Sequence, residues 1–251
     1  MKNKQNQELA VCGFEAVKAL AERHPESIQR LFFTQDRARF FGSVCKYLAS
    51  VKRIYRVVET PQELERLSQS VHHQGVVAMI REPELLPLDE PTFRAWQDAR
   101  ERVLFLDRVG NANNLGAIVR SAAFFGVSKI LISAEDEQAQ VTTSAWRVAQ
   151  GGMEFVDIRK VSSAVALFRA AAGRMNRIGA DHRAPSRLSE LRDIVDPSLG
   201  SLIALGNEET GLSADLRAAC DRLVRIPGTG EIESLNVAQA ATLFLYELSA
   251  L

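Results

Sequence analysis

Three short stretches of this chain gather the side chains that chemistry needs. The first is Asn111-Ala112-Asn113-Asn114-Leu115-Gly116-Ala117-Ile118-Val119-Arg120. Read locally, Asn114 is a helix N-cap and Arg120 a solvated surface charge; the sharper reading is a helix start that receives an RNA phosphate or sugar, with Arg120 on the anion. The second is Leu205-Gly206-Asn207-Glu208-Glu209-Thr210-Gly211-Leu212-Ser213, whose glycines permit close backbone approach to a ligand. Its plainer reading is a strand-to-helix loop with Ser213 as N-cap. The third is Ile226-Pro227-Gly228-Thr229-Gly230 followed by Ser234-Leu235-Asn236, where Ser234 is a candidate cap for the last helix.

Several chemistries are missing. There is no GxGxxG with an acidic residue about 20 positions on, no GxxxxGK[ST] and no HExxH. His24, His72, His73 and His182 lie outside the three stretches in sequence and read as surface or packing residues. Cys12, Cys45 and Cys220 are odd in number and form no CxxC, which argues for a reducing compartment and against a disulfide framework or a zinc site. No metal is expected. The opening stretch MKNKQNQELAVCG lacks the apolar run of a signal peptide, and no segment has the ~18 apolar residues of a membrane span. The expectation is a cytoplasmic protein with no membrane partner.

The elements that must position these residues follow from periodicity. At 251 residues, 46% hydrophobic and 25% charged, the chain has material for one large or two ordinary domains. In residues 1–81 a helix over 12–22, a strand at 29–33, a helix from about Gln35 to Ser50, a strand at 54–58, a helix opened by a Thr60/Glu63 capping box with Pro61 at its first position, and a buried strand over 75–80 make a small mixed domain. This part carries 13 Lys+Arg against 8 Asp+Glu, an excess compatible with a polyanion partner. Residues 82–101, with Pro83, Pro87 and Pro91 among acidic residues, read as a linker. From 102 to 251 strands are expected at Val103–Leu106, Lys129–Ile132, Phe155–Ile158, Arg177–Ala180, Leu202–Leu205 and Leu223–Ile226, alternating with helices. One helix stops at Gly126; the last, from about Ser234, buries Val237, Ala240, Ala241, Phe244, Leu245 and Leu248. That alternation implies a largely parallel sheet covered on both faces, and ligands bind where such strands end.

In order and spacing the three stretches resemble the signature motifs of the SpoU/TrmH branch of the SPOUT methyltransferases, and the resemblance covers roughly residues 102–251. The first 80 residues more loosely resemble the L30e-like α/β RNA-binding domain often attached in that family. The resemblance implies transfer of a methyl group from S-adenosyl-L-methionine to a ribose 2′-hydroxyl of rRNA or tRNA. It also implies a C-terminal trefoil knot, which ordinary topology rules would not suggest, and a homodimer with the site near its interface. By the same resemblance Arg120, Asn114, Glu208, Ser234 and Asn236 are the catalytic set. Leu205, Gly206, Asn207, Gly211, Ile226, Pro227 and Gly230, with Ser234, Leu235 and Asn236, are the cofactor-binding set. The chain departs from the pattern at Ala112, often Pro; at Glu209, often Gly; and at Gly228, usually Met, where a looser wall would weaken cofactor binding. Two other functions compete. One is a non-catalytic RNA-binding or ribosome-assembly protein that keeps the fold. The other is a hydrolase using Ser234 with His182, for which the GxSxG elbow is missing.

Overall fold

The computed structural model describes residues 8–134 and 138–249. The elements run, in chain order, β1 (Glu8–Cys12), α1 (Phe14–Arg23), β2 (Ile28–Phe33), α2 (Gly42–Ser50), β3 (Ile54–Val57), α3 (Pro61–Ser68), β4 (Val76–Arg81), α4 (Glu90–Asp98), β5 (Arg102–Leu106), α5 (Ala112–Phe125), β6 (Lys129–Ser133), α6 (Thr143–Ala149), β7 (Asp157–Val161), α7 (Ala164–Ala170), β8 (Met175–Ala180), β9 (Ser186–Arg187), α8 (Leu191–Ile194), β10 (Gly200–Leu205), α9 (Ala214–Ala219), β11 (Arg222–Arg225) and α10 (Val237–Ser249). They fall into two compact units. The N-terminal unit takes the chain up to Glu84 together with Val141–Phe155; the C-terminal unit takes Leu85–Gln140 and Val156–Leu251.

In the N-terminal unit the sheet order is β1-β4-β2-β3, antiparallel except for the parallel β2/β3 pair. β4 lies inside this sheet and is buried from Val76 to Ile80, which is why its sequence is continuously apolar instead of alternating. One core layer gathers Ala10, Cys12, Phe32, Val58, Leu64, Val77 and Met79. The sequence reading placed Cys12 in a helix; it closes β1, because Gly13 turns at φ 98°, a conformation that a side chain resists, and α1 begins only at Phe14. The helix expected over 35–50 is a 3-10 turn, Gln35–Phe40, followed by α2. The Thr60/Glu63 capping box does not form. The Thr60 hydroxyl caps nothing, and Glu63 instead accepts the Glu59 N–H at 3.0 Å and pairs with Arg56.

The C-terminal unit holds a seven-stranded sheet, β7-β6-β5-β10-β8-β11-β9, parallel at every pairing. β10 lies near its middle with all six residues buried. Phe105, Leu131, Phe168, Leu202, Ala204 and Leu216 belong to the core on one face. Two boundaries differ from the sequence reading. The 82–101 stretch is not a linker throughout: α4 occupies Glu90–Asp98, capped by the Asp89 carboxylate on the Thr92 N–H at 2.7 Å, and it buries Phe93 and Trp96 in this core. Pro91 sits in its first turn, where a missing N–H costs nothing. Second, Val141–Phe155 leaves the 102–251 block to pack in the N-terminal unit, where α6 lies on β1. Phe155 is in a 3-10 turn, and the strand expected there is β7, two residues later. β7 is a half-buried edge strand with little apolar signal.

Candidate functional site

The loops after β5, β10 and β11 leave the same, C-terminal, end of the parallel sheet. Asn111, not Asn114, caps α5: its Oδ1 accepts the Asn113 N–H at 2.8 Å. With the cap one turn earlier, Asn114 keeps its amide for longer reach. Its Nδ2 donates to Glu208 Oε1 at 2.7 Å, and its Oδ1 accepts from Asn236 Nδ2 at 3.2 Å. Three residues 94 and 122 positions apart along the chain therefore form one hydrogen-bonded row. Asn236 also fills the role expected of Ser234. Its Oδ1 accepts the Ala238 N–H at 2.9 Å and its carbonyl the Ala240 N–H at 3.0 Å, so α10 starts at Val237. Ser234 is exposed and makes no hydrogen bond with any described residue.

The second loop is built as a rigid turn. Asn207 Nδ2 donates to the Arg108 carbonyl at 2.9 Å, while its Oδ1 accepts the N–H groups of Glu209 at 2.9 Å and Thr210 at 3.1 Å. The loop closes with the Gly211 N–H on the Asn207 carbonyl at 2.9 Å. A Cβ at Gly206 would stand 2.3 Å from the Gly211 carbonyl carbon, so only glycine fits. Leu205, the last residue of β10, is buried and its carbonyl takes the Asp107 N–H at 2.8 Å. Both ends of the Asn207 amide are thus spent inside the protein; any ligand contact there falls to the backbone.

Sequence reasoning missed the supports. Arg108 takes φ 55°, an unusual backbone state for a side-chain-bearing residue, and this conformation accompanies the turn of its carbonyl toward Asn207. The buried Gln138 clasps Val109 from both sides, Oε1 to its N–H at 3.1 Å and Nε2 to its carbonyl at 3.0 Å. His182 Nε2 lies 3.6 Å from Glu233 in the third loop. None of these carries a motif; their roles come from long-range placement.

The third loop, from Ile226 to Asn236, has Ile226 half-buried and Pro227, Gly230 and Leu235 exposed. A Cβ at Gly228 would meet nothing within 4 Å. Arg120 is not part of the row. Six residues beyond Asn114, it lies about 120° away round the α5 axis and ~9 Å along it. It is exposed and forms no ion pair or hydrogen bond with any described residue. At the other end of the sheet, a pocket lined by Asn176, Arg177, Asp196 and Asp221 offers no comparable group. Asn176 is spent on Asp196 and Gly200, and Arg177 on Asp221 and the Phe168 carbonyl.

Two glycine-bearing loops follow β10 and β11, the strands on either side of β8, and nothing fills the space where a side chain at Gly228 would stand. Backbone groups of this kind can take an adenine edge and a carboxylate. Among the described residues no group of three or more His, Cys, Asp or Glu could hold a metal ion, and no helix is long and apolar enough to cross a membrane.

Comparison with known proteins gives the family. The SpoU rRNA Methylase family profile matches residues 101–246. A second profile, RNA 2′-O ribose methyltransferase substrate binding, matches residues 10–86. A 23S rRNA (guanosine-2′-O-)-methyltransferase RlmB of Acinetobacter baylyi is 30% identical over 244 residues, covering 94% of each chain. An uncharacterized tRNA/rRNA methyltransferase of Haemophilus influenzae is 33% identical over 161 residues; the chain spans only 44% of that protein's length. Among solved structures, the SpoU methyltransferase AviRb from Streptomyces viridochromogenes, in complex with the cofactor AdoMet, aligns with TM-score 0.71 at 25% identity over 98% of this chain and 91% of its own.

Proposed function

The chain belongs to the SpoU rRNA methylase family, and from that premise we propose that the row Glu208–Asn114–Asn236 is where it methylates a ribose 2′-hydroxyl of RNA. It is an S-adenosyl-L-methionine-dependent RNA 2′-O-methyltransferase. The observation that carries the site assignment is the hydrogen-bonded row, since it joins all three loops at one point.

Bound at the second and third loops, S-adenosylmethionine supplies a sulfonium methyl to the ribose oxygen. The backbone of Leu205–Gly206, Gly211, Ile226, Pro227 and Gly230, with Leu235, forms the holding surface, and Asn207 stiffens it through its bonds to Arg108, Glu209 and Thr210. Asn114 fixes the Glu208 carboxylate through one oxygen; the other makes no hydrogen bond with a described residue and is open to accept the hydroxyl proton. Arg120 is the poorer base, because a guanidinium offers five N–H donors and no acceptor. It instead holds the 3′-phosphate or the developing alkoxide. Ser234 and Asn236 orient the sugar.

Arg120 reaches this site from a second copy of the chain. The exposed α5 stripe that carries Arg120 also carries Phe124, 82% exposed, and the neighbouring Phe125 packs edge-on with Tyr246 of α10, itself 55% exposed. An apolar surface beside an unpaired cation favours a homodimer with the site at its interface. The L30e-like character of the N-terminal unit and a trefoil knot at the second and third loops belong to the same reading. So does a cytoplasmic location, where RNA and cofactor meet.

The test is calorimetry with S-adenosylmethionine followed by mapping of ribose methylation in RNA from cells lacking the protein. One-site cofactor binding and loss of one or a few 2′-O-methyl marks are expected. RNA binding without cofactor binding would assign the chain instead to non-catalytic RNA binding or ribosome assembly.

A further inference from the structure

Outside the methyl-transfer site, the N-terminal unit carries one cluster in which arginines and aromatic rings are interleaved at the surface. Phe14, the first residue of α1, packs edge-on against Phe40 with ring centroids 4.9 Å apart. Phe40 ends the 3-10 turn after β2 and is 42% exposed. Arg39 lies over the Phe40 ring at 4.7 Å from its centroid, and Arg37 over Phe14 at 4.7 Å. Arg147 passes close by: its Cγ is 3.6 Å from where a Cβ on Gly13 would stand. The cluster is fixed from below. Phe41 is buried against Phe33 and Phe14, and the Phe14 N–H donates to Gln74 Oε1 at 2.8 Å.

What separates this cluster from the other arginine–ring contacts in the unit is its charge. Arg30 and Arg56, both over Phe32, are held by Glu8 and Glu63. Arg23 over Phe155 stands beside the buried Glu154. By contrast Arg39 makes no ion pair with any described residue, and Arg37 has only its neighbour Asp36, 3.5 Å away and 72% exposed. Asp36 itself is occupied by the Thr34 hydroxyl at 2.5 Å. A partly exposed ring with cations over and beside it, on a stiff support, suits a nucleobase stacked on carbon and a phosphate on a guanidinium. It does not suit duplex RNA, whose bases are stacked on one another and whose backbone is read without aromatic rings.

We propose that Phe40, with Arg39 and Arg37, is the platform on which the N-terminal unit takes an unpaired nucleotide of the substrate RNA, so that this unit selects a loop or bulge over a paired helix. The assignment rests on the methyltransferase reading above for the identity of the partner as RNA. The platform works by stacking on Phe40 and by phosphate contact at Arg39.

The experiment is fluorescence anisotropy with the full chain. One probe is a labelled, unstructured oligouridylate of about 12 nucleotides, within the usual site sizes of such surfaces. The other is a blunt-ended RNA duplex of about 12 base pairs with no loop or overhang. Wild type binds the single strand more tightly than the duplex. Phe40→Ala weakens single-strand binding about tenfold, the range expected for loss of one stacked base, and Phe40→Trp restores it. Arg39→Gln lowers the slope of log affinity against log salt by about one phosphate's worth. Phe40 is exposed, so thermal midpoints of the variants that match wild type verify folding. If wild type binds RNA but Phe40→Ala binds both probes as well as wild type does, the platform is wrong and the methyltransferase reading stands. Failure of wild type to bind the single strand would reject the platform, while the methyltransferase reading is judged separately by cofactor binding and loss of methyl marks.

Discussion

At the scale of single residues, function turns on side chains that the fold leaves unsatisfied and on others that it uses up. Asn207 belongs to the second kind, with both ends of its amide engaged. Arg120 and the second carboxylate oxygen of Glu208 belong to the first. Arg120 stands exposed on α5 without a partner among the described residues, solvated and free to take an anion. Arg120→Ala is therefore expected to abolish methyl transfer, a loss of at least ~100-fold, while S-adenosylmethionine affinity by calorimetry stays within about twofold of wild type. Equal loss of both activities would remove Arg120 from the transfer step. The Asn114 amide explains why the sequence alone misassigns it. An Asn near a helix start is most often a cap, and here Asn111, three residues earlier, already does that work.

At the scale of elements, the segment Val141–Phe155 is the least expected feature. It follows β6 in the chain, yet α6 and the 3-10 turn after it pack in the N-terminal unit. The turn buries Glu154 to 3% side-chain exposure against the half-exposed His24, and one of its carboxylate oxygens has no hydrogen-bond partner among the described residues. Burial pushes the Glu154 carboxyl above the usual carboxylate range, outweighing the opposing His24 hydrogen bond and the charge of Arg23; Glu26 adds to the rise. A raised carboxyl holds its proton more tightly folded than unfolded. Its contribution to stability is full below the ordinary carboxylate range and is lost as pH climbs through the raised value. Glu154→Gln is neutral at every pH and escapes that loss. Its melting temperature relative to wild type should rise steadily from pH ~4 towards neutrality. A difference that does not vary with pH would show that burial is not the dominant influence on this carboxyl.

At the scale of the whole molecule, the question is whether one chain is enough. The proposed site has the Glu208–Asn114–Asn236 row on one copy and Arg120 on another. Arg120→Ala and Asn236→Ala homodimers should each be inactive. After the two are mixed, unfolded and refolded together, half of the dimers are mixed and each has one intact site, so activity should return to about a quarter of wild type. No recovery would place Arg120 and Asn236 in the same copy's site.

Composition, periodicity and the glycine-marked loops were enough to read the parallel α/β block, its strands β5, β6, β8, β10 and β11, and the three loops that meet at its C-terminal end. That much is local, because strand alternation, helix stops such as Gly126 and loop glycines act over a few residues of their own sequence. Tertiary structure alone decided which side chain meets which: Asn114 with Glu208 and Asn236 across 94 and 122 residues, Asn207 with the Arg108 carbonyl, and Val141–Phe155 with β1 and α1. A polar side chain forms its bond with whatever the packed core brings within about 3 Å, and apolar burial elsewhere in the chain sets that distance.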